Sequence, residues 1–405
     1  MFKISKKYAI RLLAKQSHTK VILNMAHNNT LFAQTLSLIP RHIFKKLEDK
    51  HKTGRASRKF GFKEQFTVMA FIQLAARRSM RDGLRCLEAL GKRLYHWGLK
   101  NVARSTFADA NNSRPVGFFK DLFAEMYTLC AAKSPKHKFR FKSKLFSLDA
   151  TTISLCLSLF PWASFRQAKA GIKMHTLLDH DGYIPAFITV TNAKIHEGPV
   201  AKTLELPMGS IVVFDRGFID YSWFQRLEEK GIFFVTRLKK NAVYTLLERR
   251  QVNPKTGVTS DLIIEVISEK GPLRLRCIGY RDQESGKHYE FLTNHFRLSA
   301  KTIADVYKDR WQIELFFKEI KQNLRIKRFI GHSENAVLIQ VYTAMTTYLL
   351  VKYQKFLSRL GLSVQQLLEI IQINLLGTTS LEELLNPRRR KTESPYNLSL
   401  LTLIA

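Results

Sequence analysis

The chain has 405 residues, 45% of them apolar and 24% charged, which excludes a disordered polymer and leaves room for two or three domains. Lys and Arg number 66 against 33 Asp and Glu, a formal charge of +33. An excess of that size argues against a small-molecule housekeeping enzyme. It points to a polyanionic partner, because every phosphate bound by a cation releases condensed counterions.

The basic start (Met1-Phe2-Lys3-Ile4-Ser5-Lys6-Lys7) meets Arg11 and Lys15 too soon to read as a signal peptide. The longest apolar stretch, Ala336 to Val351, is short for a bilayer span and is expected to be a buried helix. Cys86, Cys130, Cys156 and Cys277 have no paired spacing, so neither zinc nor a disulfide framework is indicated. The expected compartment is the cytoplasm, with no membrane partner.

Charge places a boundary. Residues 1–148 carry 31 Lys/Arg and 8 Asp/Glu, a net of +23, while residues 149–405 carry only +10. A basic helical DNA-binding domain is therefore expected over 1–131. Apolar residues recur at helical spacing over 64–78 (Phe66, Met69, Phe71, Leu74). A second helix follows Ser79–Asp82 with Leu84, Cys86, Leu87 and Leu90, and a third begins near Ser105, a candidate N-cap. That order suits a helix-turn-helix variant or an ordinary basic bundle. Lys50 to Lys63 lacks periodicity and reads as a basic arm.

A linker over 132–143 leads into an α/β body over 144–350. Leu145–Leu148 and Thr151–Leu157 read as strands. Gly171–Leu178 and Ile184–Thr191 flank the hairpin signal Asp179-His180-Asp181-Gly182. A helical piece near Pro199–Leu204, a strand over Ile211–Phe214, a helix over Trp223–Lys230 and a strand over Ile232–Thr236 follow. Residues 242–294 alternate as strands (Leu262–Ile267, Leu273–Tyr280, Tyr289–Leu292) and read as a β-rich insertion. Helices resume at Ser299 and run to about Leu385. The C-terminal region, 351–405, holds leucines and isoleucines over 362–376 that suit protomer pairing or internal packing, and a basic run Arg388–Lys391.

Two strands end in a carboxylate, Asp149 and Asp215, at the edge where ligands gather in open parallel sheets. Asp there is also a common cap or turn residue. A third carboxylate lies in Tyr307-Lys308-Asp309-Arg310-Trp311-Gln312-Ile313-Glu314-Leu315-Phe316-Phe317-Lys318-Glu319-Ile320-Lys321. On one continuous helix, Tyr307, Arg310, Glu314 and Lys321 would share a stripe roughly 60° wide beside an apolar face. An exposed helix with ordinary ion pairs would explain the charges but not the tyrosine. Lys173, His175 and His196-Glu197-Gly198 are ambiguous, structural or site-facing.

Asp149-Ala150-Thr151-Thr152, Asp215-Arg216-Gly217 and the Tyr-x2-Arg-x3-Glu-x6-Lys pattern together resemble the DDE transposases of bacterial insertion sequences, more narrowly the insertion-sequence family 4 branch. The resemblance runs over about 144–350. It implies an α/β, ribonuclease-H-like core with the β-rich insertion between the second Asp and the Glu, preceded by the helical domain and followed by C-terminal helices. It implies two Mg²⁺ ions (Mn²⁺ able to substitute) held by Asp149, Asp215 and Glu314 as catalytic and metal residues. DNA contacts are implied for Tyr307, Arg310, Lys321, Arg237, Lys239 and Arg216. Some relatives place a Trp in the insertion to hold a flipped base; none stands in 242–294 here, and Tyr289 or Phe291 are the aromatic alternatives. The implied activity is cut-and-paste transposition on terminal inverted repeats and target DNA, through a hairpin intermediate, by a homodimer in a synaptic complex. A metal-dependent DNA nuclease or resolvase, or a catalytically decayed DNA-binding protein, are the alternatives.

Overall fold

A computed structural model describes residues 30–52, 60–166, 169–269 and 271–387. The N-terminal basic stretch, the centre of the basic arm and the Arg388–Lys391 run lie outside them. The helices before the sheet are α1 (Leu31–Ser37), α2 (Arg41–His51), α3 (Phe62–Leu74), α4 (Met80–Ala89), α5 (Arg104–Ser113) and α6 (Val116–Ala131). Helix α3 is buried almost all round, as its apolar composition requires. Ser79 caps α4, its hydroxyl accepting from the Asp82 N–H. Ser105 does not cap α5, which begins after Ala103 with no side-chain cap.

The strands are β1 (Leu145–Leu155), β2 (Ser164–Arg166), β3 (Lys169–Asp179), β4 (Ile184–Asn192), β5 (Ile211–Phe214), β6 (Phe233–Arg237), β7 (Thr245–Arg249), β8 (Val258–Ser268), β9 (Gly271–Arg281) and β10 (His288–Thr293). They form one sheet in the order β2-β3-β1-β5-β6-β10-β9-β8-β7, with β4 also on β3. β1 pairs antiparallel with β3 and parallel with β5, and β5 parallel with β6. The residues read as two strands around Asp149 are one: parallel pairing stops at Leu148, but pairing with β3 carries β1 on to Leu155. The β-rich insertion is not set apart from the sheet, because β10 pairs with β6 and continues it. β7, with every residue exposed, gave no periodic signal.

Between the strands lie α7 (Glu197–Ala201) and α8 (Tyr221–Glu229). After them come α9 (Ala300–Asp309), α10 (Gln312–Asn323), α11 (Glu334–Leu357), α12 (Val364–Asn374) and α13 (Leu381–Leu385). β5 is buried on both faces, as its unbroken Ile-Val-Val-Phe run requires. Ile211 and Val213 meet Ile303 and Val306 of α9, while Val212 and Phe214 meet Trp223 and Phe224 of α8. Helix α11 holds the longest apolar stretch and is buried on all sides. None of the described helices is long and apolar enough to cross a membrane. One hydrophobic cluster joins the helices of residues 31–131, one face of β1, β3 and β4, and the helices from 313 to 385. Val364, Leu367 and Ile371 of α12 are spent inside that cluster.

Candidate active site

Register brings the two aspartates together. Leu148 pairs with Phe214 across the parallel β1–β5 ladder, so Asp149 and Asp215 are the next residues on neighbouring strands. Asp215 leaves the sheet there, its Oδ1 accepting from the Gly217 N–H at 2.7 Å to open a short 3₁₀ turn over Arg216–Phe218. A side chain at position 217 would press on that carboxylate, since a Cβ built there lies 3.0 Å from Asp215 Oδ1. Asp149 stays within β1, half-buried, its Oδ1 accepting from the Ala150 N–H at 2.7 Å.

The signature segment is two helices, not one. At the α9–α10 junction Arg310 N–H bonds to Tyr307, Trp311 to Lys308 and Ile313 to Arg310, each three residues back. That tighter winding is a short turn, with Arg310 and Trp311 still in right-handed helical conformation, so Tyr307, Arg310 and Glu314 stay next to one another. Arg310 Nη1 donates to Asp149 Oδ2 at 3.0 Å and Nη2 to Glu314 Oε1 at 2.8 Å. Arg310 thus ties the first strand to the third carboxylate, and its own ring neighbour is Tyr307 at 5.7 Å. Tyr307 packs on Phe291, with ring centroids 4.8 Å apart. Burial pushes its phenol up, while Arg310 and Arg237 pull it down. Lys321 donates to the Thr151 hydroxyl and to the Thr152 carbonyl at 3.1 Å, fastening α10 to β1 just beyond Asp149.

The remaining sequence candidates divide. Arg237 lies 5.0 Å from the Tyr289 ring centre and is half-buried; Arg216 is half-buried and Lys239 is exposed. Phe291 is buried at 2% exposure between Tyr289 and Tyr307, so it serves the core and has no face for a base. Tyr289 keeps partial exposure. His175 is buried, 2.9 Å from the Thr191 hydroxyl, and burial with Lys173 nearby lowers it to about 4. It is a neutral sheet residue rather than a site base.

Two features escaped the motif. Glu197, at the start of α7, is held 3.4 Å from Lys173 Nζ and adds its negative field to the site. Burial raises the Asp149 carboxyl to about 6, and the charges of Asp215 and Glu197 add to the rise against Arg310 and the Ala150 N–H. The Glu in His-Glu-Gly was visible in the sequence, but only folding brings it to Asp149. The second feature is a buried chain in which His180 Nδ1 lies 2.7 Å from Asp309 Oδ2 and Nε2 lies 2.6 Å from Ser147 Oγ. Tyr183 donates to the same Asp309 oxygen at 3.1 Å, and Lys138 pairs with the other at 2.7 Å. The Ser-His-Asp order suggests a nucleophile, yet Ser147 and His180 are fully buried, so the chain is a brace between sheet and junction.

In donor chemistry and charge, Asp149, Asp215 and Glu314 suit a hard divalent cation, which prefers carboxylate oxygens. The spacing does not form a ready cage: among the described residues no three His, Cys, Asp or Glu side chains are grouped to hold a metal ion. The Arg310 guanidinium takes one oxygen from each of Asp149 and Glu314.

Comparison with known proteins gives the family. The family model described as "Transposase DDE domain" matches residues 140–350, and a "Domain of unknown function (DUF4372)" matches residues 27–100. A candidate transposase of Sinorhizobium fredii is 32% identical over 272 residues, 65% of this chain and 75% of that protein. Candidate transposases of insertion sequence elements IS5377 from Geobacillus stearothermophilus (29% identical; 64% and 68% covered) and IS4SA from Synechocystis (31%; 66% and 75%) are similar at the same level. A solved piggyBac transposase synaptic complex with hairpin DNA aligns at a TM-score of 0.40 and 11% identity over 90% of this chain and 84% of that one, a likeness that carries no argument. With a DDE-domain match across more than half its length and insertion-sequence transposases among its relatives, the chain belongs to the DDE transposase family, and the IS4SA relative fits the family 4 branch.

Proposed function

We propose that the chain cuts and joins DNA at the ends of its insertion sequence, with Asp149, Asp215 and Glu314 as the catalytic carboxylates. The observation that carries this reading is the register of β1 against β5, which sets Asp149 beside Asp215, together with Arg310 linking Asp149 to Glu314. The central order β4-β3-β1-β5-β6, antiparallel on one side of β1 and parallel on the other, supports a ribonuclease-H-like core extended by β7–β10.

Asp149, Asp215 and Glu314 would hold Mg²⁺ once Arg310 releases its carboxylates. Such ions, when bound, supply Lewis-acid polarisation of the phosphodiester and an acidified water. Arg310, freed, suits a bidentate grip on a phosphate beside the scissile bond. Tyr307, on the same junction, is positioned with it, while Lys321 holds α10 against β1. Arg237, Lys239 and Arg216 extend the cationic rim along the DNA. Tyr289, stacked under Arg237, is the remaining aromatic candidate for a hairpin base.

The test uses duplexes carrying the DNA that flanks the gene, with and without a pre-cut 3′ end, in Mg²⁺. Joined product is the expected outcome. Cleavage without joining would indicate a nuclease or resolvase, and binding without cleavage a decayed transposase. Inverted repeats bracketing the reading frame would identify the substrate, and a mass measurement on the DNA complex would show whether two protomers assemble.

A further inference from the structure

The helical N-terminal region is basic, and two groups of its cations differ in their partners. On α2, Lys46 is paired with Glu125 at 2.7 Å and Lys50 with Asp121 at 2.6 Å, both acids coming from α6. Those two lysines have acidic partners at the surface. On the opposite run, from α4 through the 3₁₀ turn Gly91–Trp97 to the start of α5, Arg81, Arg85, Lys92, Arg93, Lys100 and Arg104 are all exposed and form no ion pair with a described residue.

The scaffold beneath them is firm. Helices α3 and α4 are joined by a short turn in which Ala76 takes a φ of +51°. Gly83 lets α4 approach α3 closely, since a Cβ built there would lie 2.6 Å from Ile72 Cγ1. Met80, Gly83 and Leu87 of α4 face the core, which turns Arg81 and Arg85, one helical turn apart, outward. Across from them stand Lys100 and Arg104, and between the two walls runs a cleft of about 360 Å³ with a leucine floor. Glu88 is the one acidic residue among those that line it.

We propose that this face, with α4 as the helix presented to the groove, is where the N-terminal region docks on duplex DNA, the cleft gripping one sugar–phosphate strand between its two cationic walls. Exposed cations gathered on one face raise the local positive potential, and a polyphosphate strand is the partner whose charge and shape complement two facing rows. On α2, Lys46 and Lys50 already have acidic partners on α6, while Arg41 and Lys45 are exposed. The inference rests on the transposase reading and adds to it the surface that holds the DNA.

Fluorescence anisotropy on the full chain tests it, with two labelled duplexes of equal length, one from the DNA flanking the gene and one of random sequence. Salt is varied from about 50 to about 200 mM KCl, where a lost phosphate contact lowers the logarithmic salt slope by about 0.9. Arg81→Ala/Arg85→Ala and, separately, Lys100→Ala/Arg104→Ala should each weaken binding roughly tenfold and flatten the slope by about 2. Lys46→Ala/Lys50→Ala should change neither. Loss on the flanking duplex alone would mark this face as the reader of element ends; equal loss on both would mark a backbone grip on any duplex. Both outcomes uphold the proposal when thermal melts show the variants folded. Wild-type binding that neither pair of variants disturbs overturns the proposal while leaving the transposase reading intact. A wild-type chain that binds neither duplex overturns both.

Discussion

At the residue scale, the site turns on Arg310. One guanidinium, at the junction of α9 and α10, holds two carboxylates that belong to elements 165 residues apart in numbering, from Asp149 to Glu314. Glu314→Gln removes a charge but keeps an acceptor for Arg310. It should cut strand cleavage by at least about 100-fold while leaving affinity for end DNA unchanged, measured by gel cleavage and anisotropy on the same preparation. Loss of affinity as well would mean that Glu314 supports the fold. A chelator should have the same effect on cleavage by wild type, and added Mg²⁺ should reverse it.

Glu197 makes a separate prediction. Asp149 titrates near 6 because burial and the neighbouring negative charges of Asp215 and Glu197 disfavour its ionised form. Glu197→Gln should therefore move its midpoint downward, toward the ordinary carboxylate range, in a carboxyl-carbon NMR titration of the metal-free protein. An unmoved midpoint would place Glu197 outside the field of the site.

At the element scale, the junction between α9 and α10 is held from beneath by the Ser147–His180–Asp309 chain. Asp309 is adjacent to Arg310, and its carboxylate is buried against His180 from β3's end, Tyr183 and Lys138. Asp309→Asn leaves His180 and Lys138 facing a neutral amide. Breaking a buried pair of this kind costs about 3–5 kcal/mol, whereas Ser147→Ala, which removes one neutral hydrogen bond, costs about 1 kcal/mol. Urea unfolding should show that ranking. Cleavage by Asp309→Asn should fall further than its lost stability explains when assayed well below its melting temperature, because the junction no longer fixes Arg310. Equal stabilities for the two variants would remove the brace.

At the scale of the whole molecule, one feature ties the helical N-terminal region to the sheet. At the β3–β4 turn, Lys144 donates to Asp179 and Asp181 at 2.7 Å each, and Lys136 to Asp181 at 2.9 Å. Tyr127 of α6 reaches across to donate to Asp179 at 2.8 Å. The Asp181 carboxyl is held down at about 2 by hydrogen bonds from Lys144 and Lys136, which outweigh its burial. A carboxyl depressed in the fold stabilises it above the unfolded value near 4, and that contribution is lost as pH falls toward 2. Lys144→Ala should lower the melting temperature at pH 7, and its deficit against wild type should shrink as pH falls from about 4 toward 2, where the wild type loses the same contribution. Limited trypsin digestion should cut the 132–143 segment of this variant faster than that of wild type; unchanged cutting would mean that the turn does not fasten the linker.

Much of this was legible in the chain itself. The excess of cations in the first third, the Ile-Val-Val-Phe strand that ends at Asp215, the Asp-His-Asp-Gly hairpin and the spacing from Tyr307 to Lys321 are local patterns, governed by periodicity and turn chemistry a few residues long. What the fold alone decided is non-local. Parallel register made neighbours of Asp149 and Asp215, and β10 on β6 drew the insertion into the central sheet. Arg310, between α9 and α10, meets two acids, and the helices of residues 31–131 and 313–385 came to share one core. Each of these joins residues tens to hundreds of positions apart. Their energy comes from contacts that exist only once the sheet has closed, so no short window of sequence records them.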